Sequence, residues 1–180
     1  MSVPERHRAL APREVSVYVI TVSTSRYLSR QEGRVLEDEA GDVAEALARE
    51  AGYAMAGRAL VPDDIAMIRA ALAGALGKAD VIVITGGTGL SPKDVTIEAV
   101  RPLLDKELEG FGELLRYLSY QRIGAAAALT RATAGALGRS LVLCLPGSPD
   151  AVETALRAFL KELPHALYVL RQAPDAPKEA

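Results

Sequence analysis

The sequence predicts a three-layer α/β domain, in which helices cover both faces of a mostly parallel central sheet. Strand-like and helix-like segments alternate along the chain, which is the pattern of βαβ units. Two strand-like segments, VIVI (81–84) and LVLCL (141–145), are continuously apolar, as expected for parallel strands covered on both faces. The length of 180 residues is typical of a single domain with a full-sized core.

The predicted strands are runs of β-forming residues bounded by turn residues. In chain order they are VSVYVITV (15–22), the weaker YAMAGRALV (53–61), VIVI (81–84) and LVLCL (141–145). The segment TAGALGRSLVLCL (133–145) also has a hairpin pattern around Gly138 and Arg139. That hairpin would add one antiparallel edge strand to the parallel sheet.

Helices are predicted where apolar residues recur at helical spacing. The residues that mark them are Val43 and Leu47 (helix 41–51), Ile65, Ile68, Leu72 and Leu76, then Phe111, Leu114, Leu115 and Leu118, and finally Val152, Ala155, Leu156, Phe159, Leu160 and Leu163 in one long helix. A further helix is predicted over 96–104. The face from Phe111 to Leu118 is typical of a core contact or of a subunit interface.

Charge and cysteine content exclude several classes of protein. The 21 basic and 23 acidic residues give a net charge of −2, so we expect neither a nucleic-acid partner nor an anionic membrane surface. Cys144 is the only cysteine and lies in an apolar run, which predicts a buried, inert thiol. No apolar run approaches the ~20 residues that span a bilayer. With no signal peptide recognised, a cytoplasmic protein is the expectation.

The two ends of the chain differ from the middle. Residues 1–13 and 171–180 are charged, contain proline and lack periodicity, so we predict flexible tails. Residues 14–170 are predicted to form the single domain.

Polar loops follow every predicted parallel strand. They are TVSTSR, VPDD, TGGTGLSPKD and LPGSPD, in chain order. Ligands of open α/β sheets bind outside the carboxyl ends of the strands, where these loops would meet. The sequence therefore predicts a binding site at that edge of the sheet.

The glycine-rich loop TGGTG (85–89) leads from a predicted strand into a helical pattern. It lacks the ending of a Walker phosphate loop and the third glycine of a dinucleotide fingerprint. Two interpretations remain open. Its backbone amides could hold an anion, or its glycines could serve only the φ angles of a tight turn.

Two carboxylates flank this predicted loop. Asp94 and Asp63 (or Asp64) stand just before predicted helices, where an N-cap is the commonest role of aspartate. Taken together, two carboxylates beside a phosphate-binding loop are also how Mg²⁺ sites for nucleotide chemistry are built. Arg131, in the small-residue segment ALTRATAG, indicates a specific partner for its guanidinium.

Four blocks of the sequence, in this order and spacing, resemble a known family: TGGTGLSPKDVTIEAV, GFGELLRYLS, LTRATAG and LPGSPDAV. They are similar to the MoaB/Mog family of molybdenum cofactor biosynthesis proteins, which includes the molybdopterin adenylyltransferases. The resemblance covers about residues 14–170, and GFGE and TRATAG are closer to the B-type members.

The resemblance implies a three-layer α/β fold, assembly as a homotrimer or homohexamer, and adenylylation of molybdopterin by ATP with Mg²⁺ and release of pyrophosphate. A separate metal-insertion protein would take the product. The site residues that it implies are Asp63 and Asp94 as catalytic, metal-associated carboxylates, Gly86, Gly87, Thr88 and Gly89 as the loop that holds phosphate or cofactor, and Ser148 and Ser23 as further ligand contacts.

This chain departs from the family pattern in two places. Ala40 of DEAG (38–41) replaces the serine of Asp-x-Ser-Gly, and the loop 26–37 is longer than in many relatives. If that serine contacts a ligand phosphate, its loss costs roughly 1 kcal/mol. The longer loop would be a lid or a mobile insertion.

Two alternative functions are open at this stage. The chain could be a non-catalytic molybdopterin-binding or scaffold paralogue, which Ala40 favours and the retention of Asp63 and Asp94 disfavours. It could also be the related domain of metal-insertion or damage-inducible proteins. The length of 180 residues and the blocks GFGE and TRATAG disfavour that second alternative.

Overall fold

The computed structural model describes residues 12, 14–34 and 36–172. The predicted tails therefore lie outside the described residues, except for residue 12 and residues 171–172. Within the described part of the chain, no helix is both long enough and apolar enough to cross a membrane.

A six-stranded sheet forms the middle layer, with the strand order β2-β1-β3-β6-β5-β4. The strands are β1 (Ser16–Val22), β2 (Ala54–Val61), β3 (Val81–Thr85), β4 (Lys106–Glu107), β5 (Thr133–Leu137) and β6 (Ser140–Leu145). The first four strands in this order pair in parallel, whereas β5 runs antiparallel to both β6 and β4. The predicted three-layer, mostly parallel fold is confirmed. The two-residue β4 was not predicted, and it rather than the hairpin strand β5 lies at the edge.

Helices cover both faces of the sheet. They are α1 (Thr24–Gln31), α2 (Glu39–Glu50), α3 (Ile65–Ala75), α4 (Thr96–Val100), α5 (Glu109–Ile123), α6 (Pro149–Phe159) and α7 (Leu163–Leu170). The helix α1 was not predicted. It extends through the first part of the long loop 26–37. Ser23 caps its start by accepting a hydrogen bond from the backbone N–H of Arg26.

Two predicted helices are shorter than the sequence pattern indicated, and proline explains both. The helix expected over 96–104 ends at Val100 and continues as a 3-10 turn that contains Pro102. The single long helix expected up to Leu163 is divided into α6 and α7 by a 3-10 turn, and Pro164 lies in the first turn of α7. Proline has no N–H to donate, and its ring clashes with the preceding turn, so an α-helix cannot continue through it undisturbed.

The core has two halves, one on each face of the sheet, because successive strand residues point to opposite faces. Val17, Val19 and Val83 pack with α2, α5 and α6, whereas Ile82 and Ile84 pack with α3 and α4. On α5, Phe111 and Leu115 are buried in the first half. Leu114 is 42% exposed, so only part of the predicted apolar face is core. A subunit contact through α5 stays a prediction, as do the expected trimer and hexamer.

Cys144 lies in the second half of the core and is fully buried. Burial raises the pKa of its thiol to about 12, although the charge of Arg101 acts in the opposite direction. The predicted burial of this thiol is confirmed.

Candidate functional site

The glycine turn after β3 lies against the ends of two neighbouring strands. Gly86 donates its N–H to the carbonyl of Leu145 over 3.0 Å, and a Cβ atom at Gly86 would stand 2.3 Å from the carbonyl oxygen of Val22. Gly86 and Gly87 have φ angles of 94° and 61°, which disfavour any side chain. The conformation of the turn therefore requires glycine at these two positions. It does not decide whether the turn also binds an anion.

Thr96, the first residue of α4, fixes the turn from the other side. Its hydroxyl donates to the carbonyl of Gly86 over 2.8 Å, and its N–H donates to the carbonyl of Gly87 over 2.9 Å. Thr96 is fully buried. The turn is therefore held in one conformation before any ligand arrives.

Asp63 lies beside this turn, although it follows β2. Its Oδ2 accepts hydrogen bonds from the N–H and the hydroxyl of Thr24, over 3.0 and 2.7 Å. A Cβ atom at Gly87 would stand 2.7 Å from Asp63 Oδ1, so the carboxylate touches the glycine turn. The neighbouring Asp64 is the residue that caps α3, by accepting the N–H of Met67 over 2.8 Å. Asp64 is therefore the helix cap, and the adjacent Asp63 is the carboxylate beside the glycine turn.

Asp94 is not a helix cap, so that interpretation was wrong. Val95 occupies the N-cap position of α4 and makes no side-chain cap. Asp94 instead accepts the N–H of Ser91 at Oδ2 over 3.1 Å, while its own N–H donates to the Ser91 carbonyl over 2.9 Å. This local turn directs the carboxylate back towards the loop, where a Cβ atom at Gly89 would stand 2.7 Å from Asp94 Oδ2.

A cavity of about 460 Å³ opens beside the glycine turn. The predicted site residues that line it are Gly87, Thr88, Gly89, Asp94 and Ser148, whereas Gly86, Asp63 and Ser23 do not line it. The facing wall comes from the end of α5 and the segment after it, with Ser119, Arg122, Ile123, Ala126, Leu129 and Arg131. The structure therefore brings most of the predicted loop residues together in one concave surface.

The hydroxyl groups of two nearly buried residues line this glycine-turn cavity without an internal partner. Thr88 and Ser119 are 3% and 8% exposed, and neither side chain makes a hydrogen bond to any residue that the structure describes. Among the described residues, no fully buried side-chain oxygen lacks a partner, so these two hydroxyl oxygens are accessible from the cavity and can bind a ligand or a water molecule. Ser119 was missed because a serine within a helical pattern gives no signal of its own in the sequence.

Ser148 caps the start of α6 at the rim of this cavity. Its side chain accepts the N–H of Ala151 over 3.4 Å, and Ser148, Asp150 and Ala151 bring the start of α6 to the cavity wall. Such a helix terminus favours a negative group. Asp150 in the first turn brings a carboxylate to the same wall, and this offsets part of that preference.

Arg131 has the specific partner that the sequence indicated. Its guanidinium donates to the carbonyl of Gly89 over 2.8 Å and forms an ion pair with Glu98 of α4. The hydrogen bond from Arg131 holds the pKa of Glu98 below its usual value. Arg131 therefore fixes the end of the glycine turn. Arg122, which the sequence did not single out, joins α5 to α6 by donating to the hydroxyl of Thr154 over 2.7 Å.

The carboxylate oxygens at this site suit an Mg²⁺ ion that is shared with a substrate phosphate. They suit less well a metal ion that protein side chains hold alone. No group of three or more His, Cys, Asp or Glu side chains that could hold a metal exists among the described residues. Mg²⁺ commonly takes only one or two carboxylates together with substrate phosphates. Asp63 and Asp94 each touch the glycine turn, and their hydrogen bonds within the described chain all go to Oδ2. One oxygen of each carboxylate is left for other partners.

Ala40 does not belong to the site. It is 4% exposed, packs in the core from the first turn of α2, and lines neither the glycine-turn cavity nor the cavity around Asp38. Ser23 likewise has a structural role as the cap of α1, and its predicted ligand contact stays a prediction.

Comparison with known proteins places this geometry in a family. A model of the probable molybdopterin-binding domain matches residues 18–165. The molybdenum cofactor biosynthesis protein B of Bacillus cereus is 41% identical over 176 residues, which is 96% of this chain and 99% of that protein. The protein of the same name from Bacillus subtilis is 40% identical over the same shares. The crystal structure of the tungsten cofactor synthesizing protein MoaB from Pyrococcus furiosus superposes with a TM-score of 0.81 at 40% identity, covering 90% of this chain and 100% of that one.

Proposed function

The chain belongs to the MoaB/Mog family of molybdenum cofactor biosynthesis proteins, and from that premise we propose that it adenylylates molybdopterin with ATP. The observation that carries the proposal is the position of two carboxylates on one glycine turn. Asp63 touches the turn at Gly87, and Asp94 touches it at Gly89. A turn of backbone amides between two carboxylates is suited to nucleotide phosphates and their Mg²⁺.

In the proposed reaction, a terminal phosphate oxygen of molybdopterin attacks the α-phosphorus of ATP. A new bond forms between that oxygen and the α-phosphorus, and the bond from the α-phosphorus to the bridging oxygen of the β-phosphate breaks. Pyrophosphate leaves with the bonding electron pair, and adenylylated molybdopterin remains. The product would then serve a separate metal-insertion protein.

The protein's part in such a transfer is to position two polyanions and to stabilise charge. The amides of the glycine turn would hold phosphate oxygens, and the Thr88 hydroxyl would donate to one of them. Because Thr96 and Arg131 fix the turn at its two ends, these donors are ordered in advance. Mg²⁺ held by Asp63 and Asp94 would lower the repulsion between the two substrates and stabilise the leaving group.

The direct test mixes purified protein with molybdopterin, ATP and Mg²⁺ and analyses the pterin products by chromatography and mass. We expect adenylylated molybdopterin from the native chain. Asp94→Asn should reduce turnover by about a hundredfold, since it removes a charge but keeps an acceptor for Ser91. Molybdopterin binding should be largely kept in this variant.

Asp64→Asn is the matched control for that experiment. It removes a carboxylate next to Asp63, yet asparagine caps helices as well as aspartate does, so turnover and stability should both persist. Normal turnover in Asp94→Asn would remove Asp94 from the mechanism. Tight molybdopterin binding by the native chain without any product would instead support the alternative of a non-catalytic binding protein. Ala40, whose missing hydroxyl favoured this alternative, lines neither cavity.

A further inference from the structure

A second cavity, of about 330 Å³, lies at the carboxyl ends of β1 and β2. Its lining residues are Arg26, Arg30, Leu36, Asp38, Arg58, Ala59 and Leu60. We refer to it as the arginine cavity, because three of these seven residues are arginines. No role has been assigned to it above.

One of the three arginines is already neutralised. Arg58 forms ion pairs with Asp38, Asp42 and Glu45, over 2.7, 2.6 and 3.3 Å. Asp38 in turn accepts the hydroxyl of Thr21 over 2.6 Å and the N–H of Gly41 over 3.1 Å. The only carboxylate that lines the cavity is therefore satisfied, and neither it nor Arg58 is available to balance the other two arginines.

Arg26 and Arg30 have no carboxylate partner in the described part of the chain. Arg26 donates from Nε to the backbone carbonyl of Glu37 over 2.7 Å and from one terminal nitrogen to the hydroxyl of Ser23 over 3.4 Å. The Arg30 side chain makes no hydrogen bond or ion pair to a described residue. The two are four positions apart on α1, where like charges face each other and repel. An anion between them would remove that repulsion.

A series of residue contacts connects the arginine cavity to the proposed site. Arg26 contacts Ser23, the adjacent Thr24 donates to Asp63, and Asp63 touches Gly87. In the strand order β2-β1-β3-β6, the arginine cavity lies at the first two strands and the glycine turn joins the last two. The carboxylate of Asp63 therefore stands between the two cavities.

We propose that the arginine cavity is an oxyanion site that holds the β- and γ-phosphates of the nucleotide, and so the pyrophosphate that leaves. This inference rests on the proposed function. The glycine-turn cavity carries the carboxylates of Asp94 and Asp150, and its two arginines already have partners, since Arg131 pairs with Glu98 and Arg122 donates to Thr154. Arg26 and Arg30 have no carboxylate partner among the described residues, and the guanidinium fork matches phosphate oxygens.

The test is direct binding of inorganic pyrophosphate, ATP and AMP by calorimetry in the presence of Mg²⁺, with the full chain and no second substrate. Arg26→Ala and Arg30→Ala should each weaken pyrophosphate and ATP binding by about tenfold, the effect of losing one charge-assisted contact. AMP binding should not change, because AMP has no β- or γ-phosphate. Arg30→Lys should restore only part of the affinity, since lysine keeps the charge but loses the planar fork.

Arg34→Ala is the matched control, because Arg34 follows α1 in the same segment but pairs with Glu32 and does not line the cavity. It should leave all three affinities unchanged. Equal pyrophosphate and ATP binding in the native chain and in both arginine variants would overturn the inference. So would a loss of AMP affinity as large as the loss for ATP, because AMP has no β- or γ-phosphate. These measurements are independent of turnover. If the native chain makes adenylylated product but the two arginine variants bind pyrophosphate normally, the proposed function is kept and the proposed role of the arginine cavity is rejected.

Discussion

At the scale of single residues, the two carboxylates lie in close steric contact with the glycine turn, in addition to the chemical role that we propose for them. Gly89 has a φ outside the left-handed region, so an alanine there is compatible with the backbone, but its Cβ would stand 2.7 Å from Asp94 Oδ2. We expect Gly89→Ala to displace the Asp94 carboxylate while the fold is kept. Product formation should fall by about tenfold or more, because small errors in the position of a charged group are costly in catalysis.

The control for Gly89→Ala is the same substitution at Gly74 in α3. A Cβ there would meet nothing within 4 Å, and alanine in a helix is more stable than glycine by about 1 kcal/mol. Gly74→Ala should therefore raise the midpoint of urea unfolding and leave turnover alone. Unchanged product formation in Gly89→Ala, with a folded protein by circular dichroism, would contradict the proposed role of the Asp94 position.

Single aspartates show where sequence reasoning at this scale succeeds and fails. The glycine loop, Asp63 and Asp94 could be predicted as neighbours, since all three follow strands at one edge of the sheet. Whether each aspartate caps a helix could not, because capping depends on the backbone angles of the residue itself. Asp64 has the extended φ and ψ of a cap, whereas Val95 takes the cap position ahead of α4 and leaves Asp94 in a separate turn.

At the scale of elements, the cap of α3 separates stability from activity. Asp64 accepts the N–H of Met67, and replacing such a cap by alanine costs about 1 kcal/mol. We expect Asp64→Ala to lower the free energy of unfolding by that amount in urea titrations. Product formation under native conditions should persist, since Asp64 does not line the glycine-turn cavity. A stable Asp64→Ala protein that makes no product would show that the two adjacent aspartates do not divide their roles in this way.

Helix ends were harder to predict than helices. The apolar spacing indicated α2, α3 and the start of α6 correctly, but it carries no information about proline, which ended α4 early and separated α7 from α6. The segment that forms α1 was predicted as part of the longer loop 26–37, a lid or a mobile insertion. Its only buried residue is Ser29, and Ser23 caps its start. Arg26 and Arg30 could not be assigned to one helix face without it.

At the scale of the whole molecule, the sheet could be predicted and the second wall of the cavity could not. Parallel strands place their following loops at one edge by topology alone. Ser119 and Arg122 reach that edge only because α5 packs on one face of the sheet, beside β5 and α6, and the sequence gives no register for such packing. Likewise, β4 has two residues, too few to produce a strand pattern.

At the amino ends of the parallel strands, opposite the proposed site, Asp80 joins β1 to the end of α7. Asp80 accepts both the N–H and the hydroxyl of Ser16 on β1 over 2.7 Å, and it forms an ion pair with Arg171 just after α7. Burial acts to raise the pKa of Asp80, but the hydrogen bonds from Arg171 and Ser16 outweigh it, so the pKa lies below its usual value of 3.8. The charged form is therefore favoured in the folded state.

This lowered pKa predicts how stability depends on pH. Since the pKa of Asp80 is lower in the folded chain than in the unfolded one, its contribution is complete above the unfolded pKa and is lost as the pH falls through the folded pKa. We expect Asp80→Asn to cost about 2 kcal/mol of unfolding free energy at pH 7, and to cost progressively less as the pH falls below 3.8. Arg171→Ala should give the same pattern, and the double variant should cost little more than either single one.

Urea titrations from pH 7 to pH 2.5 would measure this, with Glu32→Gln as the control, since the Glu32–Arg34 pair is exposed and such pairs contribute little. If the cost of Asp80→Asn did not decrease at any pH down to 2.5, the ionised carboxylate would not be what binds α7 to the sheet. Additive costs in the double variant would separate Asp80 from Arg171.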